Sequence, residues 1–344
     1  MLFSQATYPT GSMRDFYKET SYSQLDIEGE VVGWLRLPQP YATYVDGQSG
    51  TGPYPHNAQK MVGDALQLVA AQVDFRNFDA DGDNYIDGLF VIHAGPGAEA
   101  EPNLTKRKQE IWSHQSTITQ PFVSGGKTAY AYLTVPEDGR VGVFCHEFGH
   151  MLGLPDLYDT TYHSEGVGVW CVMGAGSWNN GGLTPAHFCA WSKARLGWIK
   201  PTVIKTAKAL TLPPIENTKK AVYRLWTKGK TDPEYFLIEN RQLVGFDAKL
   251  PAGGLLIWHI DDSEHNNNHP GDYWVGLVQA DGNQDLEVGR NRGDKGDPYP
   301  GEANNRRFDA TSTPSSRDQF GRPSGVAVTN ITVSQETVKC KVKV

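Results

Sequence analysis

The segment His146–His150 reads His-Glu-Phe-Gly-His, and it restricts local structure more strongly than any other part of the chain. Its two histidines are four residues apart, a spacing that puts side chains on one face of an α-helix, with Cβ atoms roughly 5–6 Å apart. Both imidazoles can then reach one metal ion, with the carboxylate of Glu147 beside them. We predict a helix over Val141–Leu154, ended by Gly153.

A catalytic zinc site needs three protein ligands and a position for water. Asp156 follows the helix at the position where the metzincin pattern has its third ligand, usually His. A carboxylate oxygen also binds zinc, at about 2.0–2.2 Å. We therefore predict zinc ligands at His146, His150 and Asp156. The alternatives for the third ligand are His187, Asp159 and His163.

The neighbouring residues indicate hydrolytic chemistry. Glu147 is the predicted catalytic base, which would take a proton from zinc-bound water and pass it to the leaving amine. Met173, in a glycine-flanked segment after the helix, resembles the Met-turn of metzincins, although an ordinary buried methionine would look the same. The pattern favours a zinc endopeptidase. The alternatives are a zinc hydrolase of non-peptide amides or esters, or a non-catalytic extracellular binding or adhesion protein.

A second metal site is predicted in an acidic loop. Asp79, Asp81, Asp83 and Asp87 alternate along the segment, and the carbonyl of Tyr85 could add another oxygen. Calcium prefers six to eight oxygen ligands, which such spacing can supply. The loop resembles an EF-hand loop but has no Glu at the twelfth position, so an Asp/Gly-rich turn without metal is the alternative. We expect a calcium ion with a structural role.

Composition narrows the class of partner. The formal net charge is −7, which argues against nucleic acid or an anionic membrane as the main partner. No run of 18 apolar residues is present, so no membrane span is expected. We expect protein or peptide substrates and a monomer. Of the four cysteines, Cys171 and Cys189 could form a disulfide, or they could be free buried thiols.

The pattern of apolar residues predicts an α+β fold in two parts. Residues 1–200 contain a predicted helix over Met61–Phe75, a predicted buried strand over Gly88–Gly95 and the helix that carries the two histidines. We assign these residues to a catalytic domain. Residues 201–344 form a β-rich, sandwich-like region, because short apolar runs alternate with turn residues there. The strand-like runs are 209–215, 221–229, 234–242, 253–261, 273–280 and 326–334.

In its motifs, the chain resembles the immune inhibitor A-type metallopeptidases. The resemblance rests on the runs 142–159, 170–182, 185–198, 234–242, 253–261 and 293–301. It implies a zincin-like, secreted zinc endopeptidase, made as a latent precursor and often stabilised by calcium, with zinc at His146 and His150 and Glu147 as the base. Members usually carry a leader, a pro-segment and an initial strand, and residues 1–24 do not look like a signal peptide. We therefore expect either a truncated sequence or a naturally shortened version of such a protein.

Overall fold

The computed structural model describes residues 2–344. The α-helices within this range are α1 (Met13–Thr20), α2 (Tyr41–Val45), α3 (Ala58–Val69), α4 (Leu104–Arg107), α5 (Val141–Met151) and α6 (Ala190–Arg195). The strands are β1 (Phe90–His93), β2 (His114–Ser124), β3 (Lys127–Pro136), β4 (Thr202–Val203), β5 (Lys208–Leu212), β6 (Tyr223–Leu225), β7 (Glu234–Arg241), β8 (Gly254–Asp261), β9 (Val275–Leu277), β10 (Arg307–Phe308), β11 (Ala327–Ser334) and β12 (Thr337–Lys343).

The chain is divided into two compact units. One contains Glu28–Gly153, and the other combines the residues up to Ile27 with Leu154–Val344. Helices and several sheets occur together, which agrees with the predicted α+β class. The predicted boundary between residues 200 and 201 is not a boundary between these units, and the division into a catalytic and a β-rich domain stays a prediction.

The unit Glu28–Gly153 contains a three-stranded sheet in the order β1-β3-β2. β1 runs parallel to β3, while β2 and β3 form an antiparallel hairpin. The hairpin turns at Gly125 and Gly126, whose φ angles of 60° and 80° are strained for most residues with a Cβ. One side of the sheet buries a core shared with α3 and the following turn: Val62, Leu66, Phe75, Ile118, Ala129 and Tyr132.

Helix α5 confirms that a helix begins at Val141, as predicted, but it ends at Met151 rather than at Leu154. Every residue from Val141 to Gly149 is buried, so packing as well as hydrogen bonding stabilises it. Phe148 stacks on Phe90 of β1, with ring centroids 5.6 Å apart, and this contact fixes the helix against the sheet. The helix ends before Gly153, whose φ of +90° turns the chain out of the helical direction.

The other two elements predicted in this part are confirmed with shifted ends. The helix predicted over Met61–Phe75 spans Ala58–Val69, because Asn57 caps it earlier by accepting a hydrogen bond from the Lys60 amide. The strand predicted over Gly88–Gly95 is present as Phe90–His93 and is only half-buried along most of its length. It lies at an edge of the sheet, so only one of its sides pairs with a neighbour.

The second unit contains two sheets, and all six strand-like runs predicted beyond residue 200 contain a strand. One sheet has the order β4-β6-β7-β8-β9 and the other β10-β11-β12-β5. Side chains from both sheets form one apolar core, as a sandwich-like region requires. Core members include Leu212, Leu225, Phe236, Ile257, Phe308, Val328 and Val338.

Helix α1 belongs to this second unit. Ser12 and Asp15 form a capping box at its start, which satisfies amide donors of its first turn. Phe16 and Tyr17 are fully buried, and both rings pack in a tilted orientation against Phe188. Phe16 also packs edge-on against Phe246, and Tyr17 packs edge-on against Trp198. Residues far apart in sequence are therefore held in one core.

A buried group of charges lies beside that core. Arg241 is fully buried and donates two hydrogen bonds to Asp247, from Nε at 2.8 Å and Nη2 at 2.5 Å. It also donates to the carbonyl of Trp170 at 3.1 Å. Burial opposes ionisation of Asp247, but the charge of Arg241 outweighs it and lowers the pKa of Asp247 to about 2. The pair is ionised at neutral pH and depends on both partners.

The structure shows whether the cysteines form a disulfide. All four cysteines are buried and free, so the disulfide considered for Cys171 and Cys189 is not formed. Instead the Cys189 amide donates to the sulfur of Cys171 at 3.3 Å.

Across residues 2–344, the helices lack the length and apolar composition that a membrane span needs.

We expect Asp247→Asn to lower the free energy of unfolding by about 3–5 kcal/mol, because it removes the charged partner that accepts two hydrogen bonds from the buried Arg241. The other carboxylates near Arg241, those of Glu239 and Glu216, are more distant at 3.5 and 3.6 Å. The measurement is urea unfolding at pH 7. Arg76→Ala, which removes an exposed partner of Asp74, serves as the control and should leave the unfolding midpoint close to that of the parent. Equal midpoints for the parent and Asp247→Asn would show that the buried pair does not stabilise the fold.

Candidate metal centre

The two histidines of α5 converge as predicted. Their Nε2 atoms lie 3.2 Å apart, and their rings are nearly perpendicular at 88°. His146 is buried and His150 is half-buried, so His150 is the more exposed of the two. A straight, well-packed helix gives this geometry directly, because positions i and i+4 share one face.

Asp156 joins this pair through the turn after the helix. The Gly153 amide donates to the His150 carbonyl at 2.9 Å, and the chain then reverses at the positive φ of Gly153. As a result, one ligand atom from each of His146, His150 and Asp156 lies within 4.8 Å of the other two. The residues predicted from sequence as the zinc ligands are thus brought together.

The donor set fits zinc. In a tetrahedral site with Zn–N bonds of about 2.0–2.1 Å, two nitrogen ligands lie about 3.3–3.4 Å apart, close to the 3.2 Å between the Nε2 atoms of His146 and His150. Two imidazoles with one carboxylate are borderline ligands that suit zinc better than calcium or magnesium, which prefer oxygen. Three protein ligands also leave a fourth position for water.

Glu147 follows His146 on α5 and is buried, with 6% of its surface exposed. The residue that follows the first predicted ligand is therefore a buried glutamate.

His187, one of the alternatives for the third ligand, is outside the group formed by His146, His150 and Asp156. It is fully buried, and its Nε2 lies 2.8 Å from a carboxylate oxygen of Glu19. Its Nδ1 lies 3.0 Å from the ammonium of Lys193, and its amide donates to Asp247 at 2.9 Å. Both ring nitrogens already have partners in the buried charge group. Sequence spacing could not reveal these contacts, which come from distant segments.

Asp159 and His163 are also placed elsewhere. Asp159 is buried and accepts hydrogen bonds from the amides of Thr161, His163 and Ser164 at 2.7–3.1 Å. Burial acts to raise the pKa of Asp159, but a hydrogen bond from the Thr161 hydroxyl and these amide bonds outweigh it and lower the pKa. His163 is exposed, with Nδ1 2.8 Å from the Thr161 hydroxyl. Neither residue belongs to a metal-ligand group among residues 2–344.

Met173 supports the loop that carries Asp156. It is fully buried, and its carbonyl accepts a hydrogen bond of 2.8 Å from the amide of Leu157, the residue after Asp156. The predicted resemblance to a Met-turn therefore corresponds to a backbone contact with the ligand segment.

The acidic loop brings together part of the predicted calcium set. Carboxylate oxygens of Asp79, Asp81 and Asp87 lie within 4.8 Å of one another. Asp83 is outside this group, and its carboxylate accepts a hydrogen bond of 2.7 Å from the Tyr85 amide.

Sequence reasoning missed a cation that the chain itself supplies to this loop. The ammonium of Lys127, at the start of β3, forms an ion pair with Asp79 and lowers the pKa of that carboxyl. Lys127 also donates to the Asn84 side chain at 3.1 Å. It lies 48 residues from Asp79, so no local pattern could show the pairing. An internal positive charge therefore already neutralises part of the loop.

Comparison with known proteins adds to this geometry. The model of the immune inhibitor A peptidase M6 catalytic domain matches residues 1–200. Immune inhibitor A of Bacillus thuringiensis subsp. alesti is 36% identical over 214 residues, covering 53% of this chain and 31% of that protein. The pre-pro-metalloprotease PrtV of Vibrio cholerae serotype O1 (strain M66-2) is 33% identical over 230 residues, covering 56% of this chain and 25% of that protein.

The matches thus cover about a third or a quarter of the length of these relatives. The family model covers more than half of this chain and includes α5, the turn at Gly153 and Asp156. The chain belongs to the immune inhibitor A peptidase M6 family.

Proposed function

We propose that this chain is a zinc-dependent endopeptidase, with zinc held by His146, His150 and Asp156 and with Glu147 as the catalytic base. The observation that carries the proposal is the convergence of one atom from each of the three ligands within 4.8 Å, next to a buried glutamate. Membership of a peptidase family supports the same reaction.

Each residue has a distinct task in the proposed reaction. When bound, zinc polarises the scissile carbonyl and lowers the pKa of water toward neutrality. The imidazoles of His146 and His150 act as neutral ligands, and Asp156 contributes one negative charge. Glu147 accepts a proton from the attacking water and then donates it to the leaving amine nitrogen. Tyr158, Tyr162 and His163 are candidate donors to the developing oxyanion.

We further propose protein or peptide substrates, action outside the cell, and a monomeric state. The names of the two relatives refer to an immune inhibitor and a metalloprotease, which supports peptide bonds as the target. The formal net charge of −7 supports neither nucleic acid nor an anionic membrane as a partner.

Calcium binding in the acidic loop is a separate proposal. The clustering of Asp79, Asp81 and Asp87 supports it, whereas the ion pair of Asp79 with Lys127 opposes it. We propose that calcium takes the place of the Lys127 ammonium and recruits Asp83 and the Tyr85 carbonyl. Such an ion would stabilise the hairpin of β2 and β3, whose second strand begins at Lys127, rather than take part in hydrolysis.

Glu147→Gln should retain zinc and lose most proteolysis, because the amide keeps the shape of the side chain but cannot accept the proton. Loss of a general base typically costs about 10²–10⁴-fold in rate. The measurements are zinc content of the purified protein and cleavage of casein. Undiminished cleavage by Glu147→Gln would exclude it as the base.

Asp156→Ala should weaken zinc binding at least tenfold, since only two ligands remain where a stable site needs three. His163→Ala is the matched control and should bind zinc like the parent, because this exposed ring lies outside the ligand group. Zinc affinity is measured by competition with a chromophoric chelator. If His163→Ala binds zinc weakly while Asp156→Ala binds it like the parent, the third ligand is His163 rather than Asp156.

Calcium at 100 times its dissociation constant should stabilise the parent by about 2.7 kcal/mol, visible as a higher midpoint of thermal unfolding. Lys127→Met should increase calcium affinity by removing the competing ammonium, while Asp81→Asn should reduce it. Asp46→Asn, in an exposed turn outside the loop, should respond like the parent. If calcium raises no midpoint in the parent or in Lys127→Met, the loop is an Asp/Gly-rich turn without metal.

A further inference from the structure

Leu157, the residue after the proposed ligand Asp156, has an unusually well-fixed backbone. Its amide donates to the Met173 carbonyl at 2.8 Å, and its carbonyl accepts a hydrogen bond of 2.9 Å from the Val167 amide. The same carbonyl accepts a second bond, also of 2.9 Å, from the side-chain amide of Asn267. Leu157 is fully buried, so none of these bonds competes with water.

The side chain of Asn267 is itself held by hydrogen bonds to strand β9. It is fully buried, and its Nδ2 donates to the carbonyl of Val275, the first residue of β9, at 2.8 Å. Its Oδ1 accepts from the Val275 amide at 3.1 Å. The side chain thus pairs with Val275 as a neighbouring strand would, while its remaining N–H points to Leu157. No other orientation of the amide group satisfies all three bonds.

The adjacent asparagines add to this contact. Asn268 accepts hydrogen bonds from the amide and the hydroxyl of Thr160, at 2.9 and 3.0 Å. Asn266 accepts from the Asn268 amide at 2.9 Å, which fixes the turn. We call Asn266–Asn268 the asparagine bracket. It holds the loop that follows Asp156 at two points, Leu157 and Thr160.

We propose that Asn267 is a positioning residue for the metal ligand Asp156, which it holds in place through the backbone of Leu157. The proposal rests on the proposed function, since it takes Asp156 as a ligand. An aspartate has a short side chain, so the place of its carboxylate depends mainly on where its backbone lies. Residues that orient metal ligands commonly contribute about 10–100-fold to metal affinity.

The test is Asn267→Asp in the full chain. Aspartate has nearly the same shape and keeps an acceptor for the Val275 amide, but it loses both N–H donors and places a carboxylate oxygen against two carbonyls. We expect zinc affinity, measured by chelator competition, to fall at least tenfold. With cobalt in place of zinc, the visible absorption bands should weaken or shift, since they report on ligand geometry. If Asn267→Asp does not fold, the neutral variant Asn267→Ser is measured in its place. Its zinc affinity should also be at least tenfold lower than that of the parent.

Asn240→Asp is the matched control. Asn240 is equally buried in the same unit, and its Nδ2 donates to the carbonyls of Leu212 and Glu336 at 2.8 and 2.7 Å. It should lower the unfolding midpoint about as much as Asn267→Asp, yet leave zinc affinity and the cobalt spectrum within about twofold of the parent. A general loss of stability therefore cannot reproduce the expected pattern.

The outcomes separate this proposal from the one on which it rests. If the parent binds zinc tightly, Asp156→Ala binds it weakly and the Asn267 variants bind it like the parent, then Asn267 does not position the ligand. Equal losses of zinc affinity in Asn240→Asp and Asn267→Asp would also overturn the proposal. If Asp156→Ala itself binds zinc like the parent, the proposed ligand set fails first, and that result is visible without any asparagine variant.

Discussion

The approach of two imidazole nitrogens to 3.2 Å on α5 is the constraint from which the candidate site follows. Neutral imidazoles that face each other through bare lone pairs repel, so a proton or a cation must lie between or beside them. A carboxylate of Asp156 within 4.8 Å of both favours a cation, because it adds negative charge to the same small volume. The helix supplies this geometry, and the sheet and core around α5 keep it from changing.

The parts of the site that could be predicted are the parts fixed by local geometry. His146 and His150 are related by one turn of helix, and Gly153 provides the positive φ that brings Asp156 back toward them. All of this lies within a few residues, so spacing and residue type suffice. Six of the nine strands beyond residue 200 were predictable for a similar reason, because each of these short apolar runs between turn residues contains its own strand. The strands β4, β10 and β12 were not predicted.

Contacts between distant segments explain what the sequence could not show. From its residue type His187 was an alternative ligand, but both nitrogens of its ring contact other side chains. These are Glu19, 168 residues away in sequence, and Lys193, 6 residues away. The pairing of Lys127 with Asp79 changes the charge of the acidic loop in the same hidden way. Helix α1 joins the unit that contains residues 154–344, although more than a hundred residues separate them. The predicted division at residue 200 rested on local sequence patterns, which do not include such long-range contacts, and it stays a prediction.

The asparagine bracket shows how the two kinds of information combine. Local sequence determines which groups can bind zinc at this site, since His146, His150 and Asp156 have suitable ligand atoms at a suitable spacing. The place of the Asp156 backbone, however, is tied to Val275 of β9 through a side chain 110 residues beyond Leu157. A polar side chain is suited to this task because hydrogen bonds have direction, whereas apolar packing fixes distance more than orientation. A metal-binding motif without such a support would supply the ligands but not their geometry, and the order of a coordination site depends on both.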